Sequence, residues 1–187
     1  MQQLGLKVMH FQTKQLEDIA SQLMQLGELV QQQNKAQQLS AKFLQQLASL
    51  RQQYQTQQPI RVFYELWDNP LSTISRDAWP QQHLNVCGAQ NIFEHASAAY
   101  PQVGLEQVIA GNPALIIQPI SENEPRTLVQ WQRWPELMAA KNKQIIQPDS
   151  DLLHRATLRT LDGVATLCRE IAKSRQFYAQ VPAASGR

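Results

Sequence analysis

Strand-like and helix-like runs that alternate from residue 60 onward predict an α/β fold with a largely parallel sheet. Two segments carry that expectation. Ile60-Arg61-Val62-Phe63-Tyr64-Glu65-Leu66-Trp67 is rich in β-branched and aromatic residues. Ala114-Leu115-Ile116-Ile117 is a short apolar run that follows a helical pattern and reads as a buried strand. Before residue 60, by contrast, the chain carries two long stretches with apolar residues three or four apart. At 187 residues and 43% hydrophobic, it is large enough for one domain plus accessory helices.

In order, residues 6–11 alternate weakly and read as a strand, after which Thr13 can cap a helix over residues 14–28. Leu16, Ile19, Leu23, Leu26 and Val30 fall on one side of it. A second helical run, residues 34–57, spaces Leu39, Phe43, Leu47, Leu50 and Tyr54 for one face, while Gln dominates the others. That seam is short for a coiled coil and lacks charge pairing beside it, so packing on its own domain is the better reading. Pro59 ends the helix, residues 60–67 form a strand, and Asp68-Asn69-Pro70 turns the chain out into a loop. Asp77 can cap a helix beginning at Ala78-Trp79-Pro80 and stopped by Gly88.

From Asn91 an irregular loop carries Tyr100 and leads to a short helix started at Gly104-Leu105-Glu106. Gly111-Asn112-Pro113 breaks it before the strand at residues 114–117. Residues 121–126 are polar, residues 127–140 read as one or two short helices carrying Trp131 and Trp134, and residues 143–147 as a brief strand. A final amphipathic helix spans residues 152–173, and the residues beyond 174 read as a frayed tail.

Composition excludes several classes. The 17 Lys and Arg are interspersed with 15 Asp and Glu, for a net charge of +2, which makes no basic stripe for nucleic acid. Apolar runs are far shorter than a membrane span, and residues 1–11 lack the basic start and apolar core of a secretory signal. No phosphate-cradling glycine loop, nucleophile elbow or His-Glu-x-x-His motif occurs, so no catalytic residue is expected. His10, His83, His95 and His154 are scattered over different elements, and no metal site is expected from them. Cys87 and Cys168 lack metal-ligand spacing, which leaves free buried thiols or a disulfide. Glu106 suits the first turn of a helix, where the macrodipole favours an acid. Trp67 and Tyr100 are either core or ligand contacts, and Tyr100 favours the second because it stands directly before a proline in a loop without helical periodicity.

Three stretches, RVFYELWDNPL at 61–71, VCGAQNIF at 86–93 and YPQVGLEQVIAGNPALII at 100–117, closely resemble the C-terminal lobe of periplasmic cobalamin-binding proteins of ABC importers. The resemblance implies a Rossmann-like C-terminal lobe of a bilobed periplasmic binding protein, preceded by a long interdomain helix. Residues 1–30 would then be a remnant of the N-terminal lobe, 31–58 the backbone helix, 59–174 the ligand-binding lobe and 175–187 a flexible tail. The signal peptide and most of the first lobe would lie outside the chain.

In that reading the protein binds cobalamin in an interlobe cleft in the periplasm and delivers it to a permease dimer, without cofactor or catalysis. The resemblance assigns ligand contacts to Trp67, Asp68 and Asn69 in the loop after the first strand, to Tyr100, and to Asp151 and Leu152 in the segment 149–155. Leu152 replaces a tryptophan of the enteric-type pattern, and Leu158 stands where a proline is usual. Glu106 matches the acid that docks on permease arginines, and Cys87 and Cys168 match a bridging pair that points to an oxidising compartment. The alternatives are a haem protein of the same fold with Tyr100 or His95 as axial ligand, a ferric-siderophore protein with Arg76, Arg126 and Arg155 in a basic cleft, and a lone lobe acting only as an interaction module.

Overall fold

The computed structural model describes residue 8, residues 10–121 and residues 129–180. Two helices, α1 (Leu16–Leu29) and α2 (Gln33–Tyr54), form an antiparallel hairpin ahead of the first strand. Their seam is close because Gly27 faces Ala36, where a methyl group on Gly27 would collide with the Ala36 side chain. Thr13 does not cap α1. Its hydroxyl pairs with Gln22, and the Asp18 carboxylate takes the backbone N–H groups of Lys14 and Gln15, so the helix begins two residues later than expected. Of the strand expected at residues 6–11, Val8, His10 and Phe11 adopt no regular structure, while Leu6, Lys7 and Met9 lie outside the described residues.

The sheet contains β1 (Ile60–Tyr64), β4 (Ala89–Asn91), β5 (Leu115–Ile117) and β6 (Ile145–Ile146), all parallel, in the order β4-β1-β5-β6. The expected α/β fold with a parallel sheet is borne out. Alternation assigns the side chains: Ile60, Val62, Tyr64, Leu115 and Ile117 join one core with Phe43, Leu47, Leu84, Val164, Leu167 and Ile171. Phe63 and Ile116 join the other, with Val108, Trp131 and Leu137. α2, α3 (Gln81–Val86) and α7 (Thr160–Gln180) cover the first face. α4 (Leu105–Gly111), a 3-10 turn at Trp131–Arg133 and α5 (Met138–Lys141) cover the second. Two short strands, β2 (Trp67–Asp68) and β3 (Leu71–Ser72), make an antiparallel hairpin beyond β1.

Other boundaries also differ from the sequence reading. The first strand stops at Tyr64 because the Glu65 N–H still pairs with the Ile117 carbonyl, whereas the next N–H, Leu66, turns to Ser72 of the hairpin. The helix expected from Ala78 starts at Gln81, since a residue before proline is driven out of helical geometry and Trp79 precedes Pro80; Asp77 is exposed and caps nothing. The single final helix is two: α6 (Ser150–His154) and α7, separated where the Thr157 N–H donates to the Thr160 hydroxyl and that hydroxyl to the Arg155 carbonyl. Lastly, the tail expected beyond 174 is helical through Gln180. Arg175 donates to the carbonyls of Gln58, Cys87 and Gly88, and Tyr178 to that of Ala114, so the last turns of α7 are tied to the N-terminal edge of the sheet. Residues 122–128, with Arg126 and the start of the helical segment expected at 127–140, lie outside the described residues.

Cys87 and Cys168 form a disulfide with Cα atoms 4.8 Å apart. Both are fully buried, and the bond joins the end of α3 to the middle of α7 across 81 residues of sequence. Closing a loop of that length in the unfolded chain contributes roughly 4 kcal/mol. Replacing both cysteines by alanine should therefore lower the urea-unfolding free energy by about 2–5 kcal/mol with the fold retained; an unchanged transition midpoint would contradict this.

Candidate functional site

Beyond the sheet's carboxyl edge, chain connections leave β1, β4, β5 and β6 in the same direction. The connection after β1 runs to β4 on one side and that after β5 to β6 on the other, so the two diverge at this edge, where α/β sheets leave a crevice. A buried glutamate lies at the end of β1. Glu65, the first residue after β1 and fully inaccessible, accepts hydrogen bonds from Gln118 Nε2 at 2.7 Å, Val129 N–H at 3.1 Å and Trp131 Nε1 at 2.6 Å. It thereby joins the exits of β1 and β5 to the segment that crosses behind them.

The β2-β3 hairpin and the loop after β4 are laced together. Thr73 N–H donates to Pro101 O, Val103 N–H to Leu71 O and Ser75 N–H to Ala99 O, with an antiparallel bridge between Ser72 and Gln102. On this frame stand Trp67 and Tyr100, 51% and 52% exposed, an unusual exposure for two large aromatic rings. Tyr100, Leu66, Trp79, Pro80, His154, Ala156 and Thr13 line a cavity of about 360 Å³ at this edge. Trp79 is fixed in it by its Nε1–H bond to the Leu153 carbonyl, 2.9 Å, and by its backbone N–H bond to the Tyr100 hydroxyl, 3.3 Å. His154 is held by a 2.9 Å contact between its Nε2 and the Tyr64 hydroxyl.

Two other cavities have nearly the same size, about 350 and 340 Å³, so volume does not choose among them. The first lies at the opposite, amino edge of the sheet, and its arginines are occupied with helix C-termini: Arg61 with the Gly111 carbonyl, Arg175 with those of Cys87 and Gly88. The second is a groove between α2 and α7 lined largely by Gln45, Gln46, Ser49 and Gln53. Position at the carboxyl edge and the aromatic lining favour the first-described cavity.

Of the residues singled out by sequence, Tyr100 lines the cavity. Trp67 and Asp68 lie on β2 and Asn69 in the hairpin turn, beside the mouth and outside that lining. Asp151 and Leu152 are on α6: Asp151 accepts the Ser121 hydroxyl at 2.8 Å and pairs with Arg155 at 3.0 Å, and Leu152 leans on Gly163 of α7. Glu106 is exposed in the first turn of α4. His95 is exposed beside Arg76, its Nδ1 3.2 Å from the guanidinium, and among the described residues no three His, Cys, Asp or Glu side chains converge as a metal site. Sequence reasoning passed over Trp79; Leu66 and His154 lie in the loop after the first strand and in the segment 149–155, which the resemblance set at the ligand without naming them as contacts. Trp79 carried the signal that singled out Tyr100, an aromatic directly before a proline, but was assigned to a helix start.

Beneath the cavity, His83 of α3 is fully buried with its ring edge-on to Trp79, centroids 5.2 Å apart. Neither ring nitrogen has a hydrogen-bond partner among the described residues. Burial, reinforced by the charge His154 can carry, pushes its pKa from the usual 6.5 down to about 3. Between those values the unfolded chain takes up a proton that the folded chain refuses, so His83 weakens stability progressively as pH falls below 6.5. In urea titrations His83→Leu should therefore gain on the parent by about 2 kcal/mol between pH 7 and pH 5; a pH-independent difference would refute the buried neutral imidazole.

A model of the periplasmic binding protein family matches residues 1–152. The vitamin B12-binding protein of Vibrio cholerae is 37% identical over 169 residues, covering 90% of this chain and 60% of that protein. The chain thus spans about 60% of the length of the curated relatives it matches. The crystal structure of the periplasmic vitamin B12-binding protein BtuF of Vibrio cholerae superposes with a TM-score of 0.83 at 35% identity, over 94% of this chain and 68% of that one. The periplasmic haem-binding protein HutB of Vibrio cholerae, at 18% identity and a TM-score of 0.76 over 91% of this chain and 69% of its own, shares the fold alone. Among the described residues no helix is long and apolar enough to cross a membrane.

Proposed function

The chain belongs to the periplasmic binding protein family, and from that premise we propose that it serves as the solute-binding component of an ABC importer, holding cobalamin in the aromatic cavity at the carboxyl edge of its sheet. The observation that carries this reading is the cavity's lining: Tyr100, Trp79 and Leu66 offer flat apolar surface, which suits a large macrocycle edged with amides. Relatives that bind vitamin B12 support the ligand's identity. Binding and delivery need no chemistry on the solute, and the protein acts in the periplasm as carrier to a permease dimer.

Within this reading, residues 59–180 form the ligand-binding lobe, α2 in the segment 31–58 is the stiff backbone and residues 1–30 belong with a preceding lobe. Tyr100 contacts the corrin. Trp67, Asp68 and Asn69 on the hairpin, with Asp151 and Leu152 on α6, stand at the rim where side groups of the ring system would reach. Glu106, exposed at the start of α4, docks on basic groups of the permease.

Calorimetric titration with cyanocobalamin tests the ligand. Saturable binding by the parent chain and a loss of about tenfold or more in Tyr100→Ala are expected; unchanged affinity in the variant removes Tyr100 from the site. Glu106→Ala should leave cobalamin affinity near that of the parent while slowing association with the permease in a salt-dependent way, because an exposed rim charge acts mainly through association. An equal loss of ligand affinity would count against a docking role.

A further inference from the structure

We infer that Trp79 is a ligand-contacting, specificity-determining wall of the cleft, one that presents only ring surface to the solute. This assignment rests on the cobalamin reading and adds a residue that the family resemblance does not supply. Trp79 lines the cavity beside Tyr100, Leu66 and His154, between the loop after β1 and α6. An indole has a single polar group, its N–H, and here that group is already donated to the Leu153 carbonyl at 2.9 Å. The solute side of the ring is therefore carbon and π-face alone. It can take the flat body of a macrocycle and can offer no hydrogen bond to an amide or carboxylate.

Two restraints hold the ring and a third holds its backbone. Leu153 of α6 holds the indole nitrogen, the Tyr100 hydroxyl accepts the Trp79 backbone N–H, and His83 of α3 abuts the ring at an interplanar angle of 87°. A side chain fixed this way has little rotamer freedom left to lose when a solute arrives, so the contact is realised at low entropic cost. Trp67, half-exposed on the hairpin, is not among the residues lining this cavity. Discrimination in favour of planar, apolar-faced solutes falls to Trp79 together with Tyr100.

The test is calorimetric titration of cyanocobalamin into the 187-residue chain and its Trp79→Ala, Trp79→Phe and Trp134→Phe variants, each checked for folding by thermal unfolding. Trp79→Ala should weaken binding by about tenfold or more. Trp79→Phe, which keeps a ring plane and lacks the N–H, should stay near the parent, and Trp134→Phe, on the opposite face of the sheet, should match it. If Trp79→Ala melts below the titration temperature, Trp79→Leu replaces it and the same loss is expected. Equal losses in the phenylalanine and alanine variants would assign Trp79 to holding α6 rather than touching solute, and so overturn the inference. Parent-like affinity in the alanine or leucine variant would overturn it as well, with the cobalamin reading intact. A parent chain that fails to bind cyanocobalamin overturns both.

Discussion

The carboxylate of Glu65 is the constraint on which the carboxyl edge of this protein depends. A charge removed from water is tolerated only when donors surround it, and Glu65 draws those donors from Gln118, Val129 and Trp131. Each bond ties the end of the central strand to a segment that would otherwise leave the sheet independently. The 2.6 Å bond from Trp131 also seats that ring against Phe63, with centroids 5.5 Å apart, so the buried hydrogen bonds of Glu65 and the apolar core beside them share one residue. Removing the carboxyl group without removing the donors leaves buried N–H groups unpaired, which is costlier than never having made the bonds.

The two edges of the sheet are built differently. At the amino edge, α7 is stapled by the disulfide and by Arg175, whose guanidinium gathers the carbonyl of Gln58, between α2 and β1, and those of Cys87 and Gly88 at the end of α3. These contacts are short and concentrated on one helix. The carboxyl edge is made of irregular connections laced to one another by backbone hydrogen bonds, and there the large aromatic rings stay half in water. Such a division places adaptable surface on a fixed support, which is where binding residues are usually found.

What the sequence disclosed follows from how local each cause is. β1 and β5 were legible because β-branched and aromatic side chains alternate between two buried faces, a pattern that needs no knowledge of the partner strands. The length of α7 was not, because its last turns are held by Gln58, Cys87, Gly88 and Ala114, all far away in the chain. The break before α7 turns on the hydroxyl of Thr160 competing for backbone groups, which a hydrophobic period does not register. At the site, Tyr100 was legible from its place in an aperiodic loop. Trp79, His154 and Leu66 became its neighbours only through the strand order, since their separation in sequence gives no hint that three connections meet over β1.

The disulfide and the Arg175 contacts also have a bearing on biosynthesis. A chain made from its amino end exposes Cys87 long before Cys168 exists, and the first core face, which α2 and α3 cover in part, lacks its third covering helix until α7 emerges. Val62, Tyr64, Leu84 and Leu115 cannot complete their burial without Val164, Leu167 and Ile171. The sheet is thus finished by the last helix rather than the first, and an early thiol must wait unpaired for its partner. The first face of the sheet therefore closes only once α7 has been made.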